Sequence, residues 1–124
     1  MNGRLDPEQE LGEDFLRPMT MSFGITALNE ASVLYCGKSI AEDNTFAIDT
    51  LKFINAYADR YKKEDGILYA LYGTPAESLC GLQIEQFRKK YGIIKGVSDR
   101  PYTSNSFHCG VWEDISPIQK QDIE

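Results

Sequence analysis

The stretch "GILYALYGTPAESLCG", residues 66–81, changes from one kind of secondary structure to another within a few positions. Residues 67–72 form a short apolar and aromatic run between two glycines, which is typical of a buried strand. After it come Thr74, Pro75 and Glu77, which match a capping side chain, a proline at the first helical position and a glutamate that bonds back to the cap. A buried strand that leads directly into a helix predicts an α/β protein.

Apolar residues recur at helical spacing on both sides of this stretch. We predict a helix over 22–36, a second that opens on Asp43, Asn44 or Thr45 and closes on Gly66, and a third from Thr74 to about Tyr91. A long helix before the strand and another after it favour a parallel strand. A second strand is predicted over 102–112, where the composition is polar and aromatic. The predicted fold class is therefore α/β, with its elements in the order helix, strand, helix, strand.

The two ends of the chain depart from this pattern. Residues 1–20 are polar and acidic without an apolar period, and we interpret them as an arm or lead-in to a single domain over residues 21–124. At the other end, Ser116, Pro117 and Gln119 repeat the helix-opening chemistry. Only about two turns follow Ser116, so we expect the chain to be a segment of a longer protein.

Composition and charge narrow the functional classes. The chain has 124 residues, enough for one compact core, and a formal net charge of −6. Its basic clusters fall in the last turns of predicted helices, so we expect no nucleic-acid partner. No apolar run is long enough for a membrane span and no signal-peptide pattern occurs, so we expect a soluble, cytoplasmic protein without a membrane partner. Three cysteines without metal-ligand spacing predict neither a disulfide framework nor a zinc site.

The sequence contains no Walker-type phosphate loop, dinucleotide fingerprint, zinc-protease motif or nucleophile elbow. His108 is the only histidine and Cys109 follows it, but neighbours on a strand point to opposite faces, which disfavours a nucleophilic pair. Cys36 or Cys80 could instead reach His108 across the fold. We interpret His108 as a hydrogen-bonded core or cleft residue, and Cys36 and Cys80 as small buried hydrophobes. We therefore predict no catalytic residue and no metal site in this chain.

Two segments leave a structural and a ligand-binding interpretation open. At the helix start, Thr74 and Glu77 could close a capping box, or the same backbone donors could hold a ligand's negative charge. In the second segment, residues 103–106 place four small polar side chains in a predicted interior strand. These side chains either satisfy neighbouring loops or face a ligand at the carboxyl end of that strand.

Several blocks of the sequence together resemble one enzyme family. The blocks are "SFGITALNEASVLYCGK" (22–38), "YGTPAESLCG" (72–81), "FRKKYG" (87–92), "YTSNSFH" (102–108) and "ISPIQKQDIE" (115–124). In their order and spacing the chain resembles the late part of the catalytic barrel of anaerobic ribonucleoside-triphosphate reductases, the class III glycyl-radical enzymes. The resemblance covers about residues 18–124. It implies a segment of a ten-stranded α/β barrel that lacks the finger-loop cysteine and the glycyl-radical domain.

The resemblance implies an enzyme that reduces ribonucleoside triphosphates to deoxyribonucleoside triphosphates by glycyl and thiyl radical chemistry. This segment would contribute scaffold and substrate-cleft residues and would be inactive alone. The residues expected to bind the substrate are Thr74, Ala76, Glu77, Ser78, Asn105, Ser106 and His108. The glycyl radical, a zinc site and nucleotide effectors would lie outside the segment, so we expect no cofactor in this chain. The implied partners are the ribonucleoside triphosphate, the rest of the reductase and its radical-SAM activating enzyme.

A second hypothesis is a free-standing small binding or interaction domain derived from the same barrel, without catalysis. An upstream finger cysteine and a downstream glycyl-radical motif in the gene would support the reductase. A start codon at Met1 and a stop after Glu124 would favour the free domain. Because an isolated piece of barrel exposes strand edges and apolar helix faces, we expect self-association.

Overall fold

The computed structural model describes residues 8, 10 and 12–124, and it confirms the predicted α/β class. Of the predicted arm at 1–20, residues 1–7, 9 and 11 lie outside the described residues. The elements in chain order are α1 (Glu13–Leu16), β1 (Thr20–Ile25), α2 (Leu28–Cys36), α3 (Thr45–Asp65), β2 (Leu68–Gly73), α4 (Glu77–Tyr91) and α5 (Pro117–Ile123).

β1 and β2 pair in parallel, from Thr20 opposite Leu68 to Ile25 opposite Gly73. The strand predicted at 67–72 is therefore confirmed, and so is its parallel direction. Parallel strands need a long crossover, which α2 and α3 supply. α3 packs against β2, where the ring centroids of Tyr61 and Tyr69 lie 6.2 Å apart. The carboxyl ends of both strands consequently emerge side by side.

The helix predicted over 22–36 is wrong in its first half. Residues 20–25 form β1, and α2 begins only at Leu28. Ala27 separates the two elements in a left-handed conformation with a φ of 58°. The apolar residues Phe23 and Ile25 also fit the alternation of a strand, and pairing with β2 decides between the two periods.

The strand predicted over 102–112 is also wrong, because the chain there forms an irregular loop. Its contact with the sheet is a single antiparallel bridge between Thr26 and Asn105. Arg88 of α4 fixes the residues just before this loop, because it donates to the carbonyl oxygens of Ser98 and Arg100 at 2.5 and 2.6 Å. Apart from α1, the order is therefore strand, helix, helix, strand, helix, helix.

Ser106 lies in a turn of this loop with a φ of 55°, a conformation uncommon outside glycine. Its side chain is buried against the carboxyl end of β2. A Cβ added to Gly73 would lie 1.8 Å from Ser106 Oγ and 2.8 Å from Phe107 Cε1. Gly73 is therefore required for the loop to pack on the strand end.

The hydrophobic core lies between α2, α3 and the segment after the loop. Its fully buried members are Leu28, Ile40, Ala47 and Cys109. Ile25 from β1 and Ile123 from α5 pack against this cluster. The core therefore connects the end of β1 with α2, α3 and α5.

α5 begins with the capping box that its sequence predicts. The Ser116 hydroxyl accepts the Gln119 N–H at 3.2 Å, and Gln119 Oε1 accepts the Ser116 N–H at 2.9 Å. This predicted helix start is confirmed.

The carboxylate of Glu124 ties the end of α5 to residues 108 and 109. Glu124 Oε1 accepts the backbone N–H of Cys109 at 3.1 Å and its thiol at 3.3 Å. His108 Nδ1 lies 2.8 Å from Glu124 Oε2, close enough for a charge pair, although the ring makes no well-aligned hydrogen bond there. Burial opposes ionisation of Glu124, but the contacts from His108 and Cys109 outweigh it and lower the pKa of this carboxyl. Burial, followed by the contact with Glu124, raises the pKa of the Cys109 thiol.

Replacing Gly73 by alanine is expected to destabilise the protein by about 1–3 kcal/mol, because the new methyl group overlaps Ser106 and Phe107. Urea unfolding measures the difference. Gly81→Ala is the matched control: it lies inside α4 with its nearest atom 4.0 Å away, so it should stabilise by about 0.5–1 kcal/mol. Equal stability of Gly73→Ala and the unsubstituted protein would contradict this packing.

Glu124→Gln is expected to lower the free energy of unfolding at pH 7 by about 1 kcal/mol, because hydrogen bonds to an ionised carboxylate are lost. The folded pKa of Glu124 is lowered, so its contribution is complete above about pH 4.5 and disappears as the pH falls through the folded value. Urea unfolding should show a larger difference at pH 7 than at pH 3. Asp122→Asn, at an exposed residue of the same helix, should have little effect at either pH.

Candidate functional site

The segments that follow β1 and β2 both form hydrogen bonds with the loop of residues 103–108, which we call the crossing loop. The Ala27 N–H, just after β1, donates to the Ser104 carbonyl at 2.9 Å. The Asn105 side-chain amide donates to the Pro75 carbonyl, just after β2, at 3.3 Å. The structure thus brings together the two blocks that the sequence analysis identified as candidate substrate-binding segments.

The start of α4 is open at its backbone donors. Thr74 N–H donates to the Ile25 carbonyl at 3.3 Å and so extends the strand ladder. The helix begins two residues later than predicted, with Ala76 as its N-cap and without a side-chain cap. The capping box between Thr74 and Glu77 is therefore not formed. The N–H groups of Glu77, Ser78 and Leu79 find no acceptor among the described residues.

Open donors at a helix N-terminus favour an anion, because the helix dipole adds to their partial positive charge. α4 has 15 residues, with basic side chains confined to its last turn. Glu77 is exposed and lies in the first turn, so its carboxylate is the negative charge closest in sequence to these donors. An incoming anion would therefore compete with Glu77 for the same positive end of the helix.

A cavity of about 470 Å³ lies between α4 and the crossing loop. Four of the predicted substrate-binding residues line it: Glu77, Ser78, Asn105 and His108. Thr74 and Ala76 lie outside the cavity wall, in the connection between β2 and α4, and Ser106 is buried against Gly73 instead. The structure therefore divides the predicted set into lining residues and residues that shape the connection.

The cavity lining combines polar and apolar residues. Besides the start of α4, it includes Tyr102, Val111 and Trp112, which supply apolar surface. Arg100 lies over the Trp112 ring, with its guanidinium carbon 3.6 Å from the ring centroid. Among the described lining residues Lys120 is the cation, and its Nζ lies 3.6 Å from Glu124 Oε1. A ligand with an anionic end and a flat apolar part matches this lining.

The sequence analysis did not identify Gln83 and Glu30, whose side chains hydrogen-bond to the crossing loop. Gln83 Nε2 donates to Thr26 Oγ1 at 3.1 Å, and Thr103 Oγ1 donates to Gln83 Oε1 at 3.3 Å. The Glu30 carboxylate accepts from the backbone and the hydroxyl of Ser104. The available signal for Glu30 was that it is the one charged residue in the α2 sequence LNEASVLYC.

The cysteines occupy different environments. Cys80 is buried as predicted, with its Sγ 3.9 Å from the Ser104 carbonyl oxygen. Cys36 is exposed, so its predicted burial is wrong. Cys109 and His108 both contact Glu124. Within the described residues no hydrogen bond links a cysteine thiol to the His108 ring, so no nucleophile and base pair is formed. In the same residues no group of three potential ligands is placed to hold a metal ion.

No helix in the described part of the chain has both the length and the apolar character needed to cross a membrane.

Comparison with known proteins identifies relatives of the whole segment. The family profile described as "Anaerobic ribonucleoside-triphosphate reductase" matches residues 1–124. The protein of that name from Haemophilus influenzae is 32% identical over 109 residues, which covers 85% of this chain and 15% of the relative. The one from Enterobacteria phage T4 is 32% identical over 118 residues, covering 94% of this chain and 18% of the relative.

The protein of the same name from Escherichia coli is 28% identical, with coverage of 98% of this chain and 18% of the relative. The chain thus spans about 15–18% of the length of the curated relatives it matches. Because the family profile covers the full sequence, the chain belongs to the anaerobic ribonucleoside-triphosphate reductase family.

Proposed function

We propose that this chain is a substrate-cleft segment of an anaerobic ribonucleoside-triphosphate reductase and that the start of α4 holds the substrate's phosphates. The observation that carries the proposal is the set of open N–H groups at Glu77, Ser78 and Leu79. They lie at the carboxyl ends of parallel strands, where ligands of α/β proteins bind. The name shared by the relatives supplies the substrate class, a ribonucleoside triphosphate.

The chemistry of the cavity suits such a substrate. The backbone donors and the Ser78 hydroxyl can hydrogen-bond phosphate oxygens, and the dipole of α4 favours their charge. Ala76 keeps the connection small, and Thr74 holds it against the end of β1. Asn105 and His108 line the same cavity and offer polar groups to the rest of the nucleotide, while Ser106 fixes the loop that carries them.

The role of this segment is to bind and orient the substrate. The radical chemistry belongs to parts of the reductase outside these residues, which carry the glycyl radical, the zinc site and the nucleotide effectors. The proposal also includes the radical-SAM activating enzyme as a partner of the reductase and the cytoplasm as its location. Both strands have an open outer edge among the described residues, which supports the further proposal that the isolated segment self-associates.

Glu77→Gln in the full-length reductase is expected to lower the KM for ribonucleoside triphosphate several-fold, because it removes a negative charge from the start of α4 where phosphate binds. Steady-state kinetics with the activated enzyme measures the change. Thermal stability should change little, since Glu77 closes no capping box.

Glu85→Gln is the matched control, because it makes the same change in net charge on an exposed residue two turns further along α4. Its KM should stay at the value of the unsubstituted enzyme. Equal KM values for both variants and the unsubstituted enzyme would refute phosphate binding at the start of α4.

A further inference from the structure

Glu30 is a buried carboxylate without a cationic partner in the described part of the chain. It lies in the first turn of α2 and is 4% exposed. Its Oε1 accepts the Ser104 backbone N–H at 2.9 Å, and its Oε2 accepts the Ser104 hydroxyl at 2.7 Å. Both carboxyl oxygens thus have a partner on Ser104. Burying a polar group of this kind is costly, so its hydrogen bonds must be well formed.

Ser104 is thereby held at every polar group it has. While Glu30 takes its N–H and hydroxyl, its carbonyl accepts the Ala27 N–H at 2.9 Å. Ala27, between β1 and α2, makes one of these contacts, and Glu30, in the first turn of α2, makes the other two. Ser104 is therefore one of the points at which the crossing loop is fixed to the fold, beside Thr103 and Asn105.

Asn105 and His108, which follow Ser104 in the crossing loop, line the cavity, as Thr103 and Ser104 also do. Asn105 pairs with Thr26 and donates to the Pro75 carbonyl, and His108 lines the cavity wall. In an irregular loop, a shift of one residue would turn these side chains to other directions. The two bonds of Glu30 specify one register, because they engage the backbone and the side chain of the same residue.

We infer that Glu30 is a positioning residue of the substrate cleft: it fixes Ser104 so that Asn105 and His108 face the cavity. This inference rests on the proposed function, since it assigns Glu30 a role in orienting the substrate. Glu30 itself lies outside the wall of that cavity and acts through the crossing loop.

The test uses three variants of the full-length reductase. Glu30→Ala removes both bonds, and kcat/KM should fall about tenfold or more, because small displacements of positioning groups have large kinetic effects. Glu30→Gln should stay within about threefold of the unsubstituted enzyme. Its amide oxygen can accept the Ser104 N–H, and its NH2 can donate to the hydroxyl, which reverses its direction. If Glu30→Ala does not fold, Glu30→Asp replaces it, because the shorter side chain cannot reach both donors.

Asn29→Ala is the matched control for a purely structural effect. Asn29 is the neighbouring residue, 1% exposed, and its Oδ1 accepts the Ile40 N–H at 3.0 Å instead of a group of the crossing loop. It should lower the unfolding temperature but leave kcat/KM unchanged. Hydrogen exchange of residues 103–108 should speed up in Glu30→Ala and not in Asn29→Ala.

Asn105→Ala, measured in parallel, distinguishes the failure of the positioning role of Glu30 from the failure of the crossing loop as part of the cleft. If it lowers kcat/KM and Glu30→Ala does not, the positioning role of Glu30 is refuted while the proposed cleft stands. If neither variant changes kcat/KM, the crossing loop is not part of the cleft and the positioning role of Glu30 is refuted, while phosphate binding at the start of α4 is decided by Glu77→Gln. Equal loss of activity in Glu30→Gln and Glu30→Ala would also overturn the positioning role.

Discussion

The parallel pairing of β1 and β2 is the constraint on which the rest of the structure depends. Parallel strands cannot be joined by a tight turn, so α2 and α3 must carry the chain back to the start of the sheet. The pairing also brings both carboxyl ends to the same edge. The crossing loop forms hydrogen bonds there with Ala27, just after β1, and with Pro75, just after β2. The candidate site exists because these two strand ends are adjacent.

The same pairing decides what happens at the start of α4. Thr74 has one backbone N–H, and the Ile25 carbonyl takes it. A capping box would need that group for the Glu77 carboxylate, so the strand ladder and the capping box exclude each other. The helix starts without a side-chain cap and keeps its first donors open. An open helix start beside a cavity is a place where binding energy from an anion can be used.

The polar residues of α2 have a different structural role from its apolar ones. Leu28 joins the core, while Asn29 and Glu30 reach backbone groups of distant segments. A buried amide or carboxylate stabilises only when its partners are placed correctly, and it penalises other arrangements more than an apolar side chain would. Glu30 therefore specifies the position of a loop that has no regular hydrogen-bond ladder of its own. This explains how an irregular segment can present Asn105 and His108 in fixed directions.

The sequence by itself determined the elements whose signals are local. The apolar run at 67–72, the long periodic helices and the Ser116 capping box all appear in the structure, because hydrophobic period and capping chemistry act over a few residues. The ordered blocks of the sequence also identified the family. Only the tertiary structure decided that residues 20–25 form a strand, since their spacing fits both periods until β2 offers a partner. It likewise decided that residues 103–108 cross the strand ends as a loop, and that Glu30 holds them. Those outcomes depend on partners as far as 74 positions away in the chain, which no local pattern encodes.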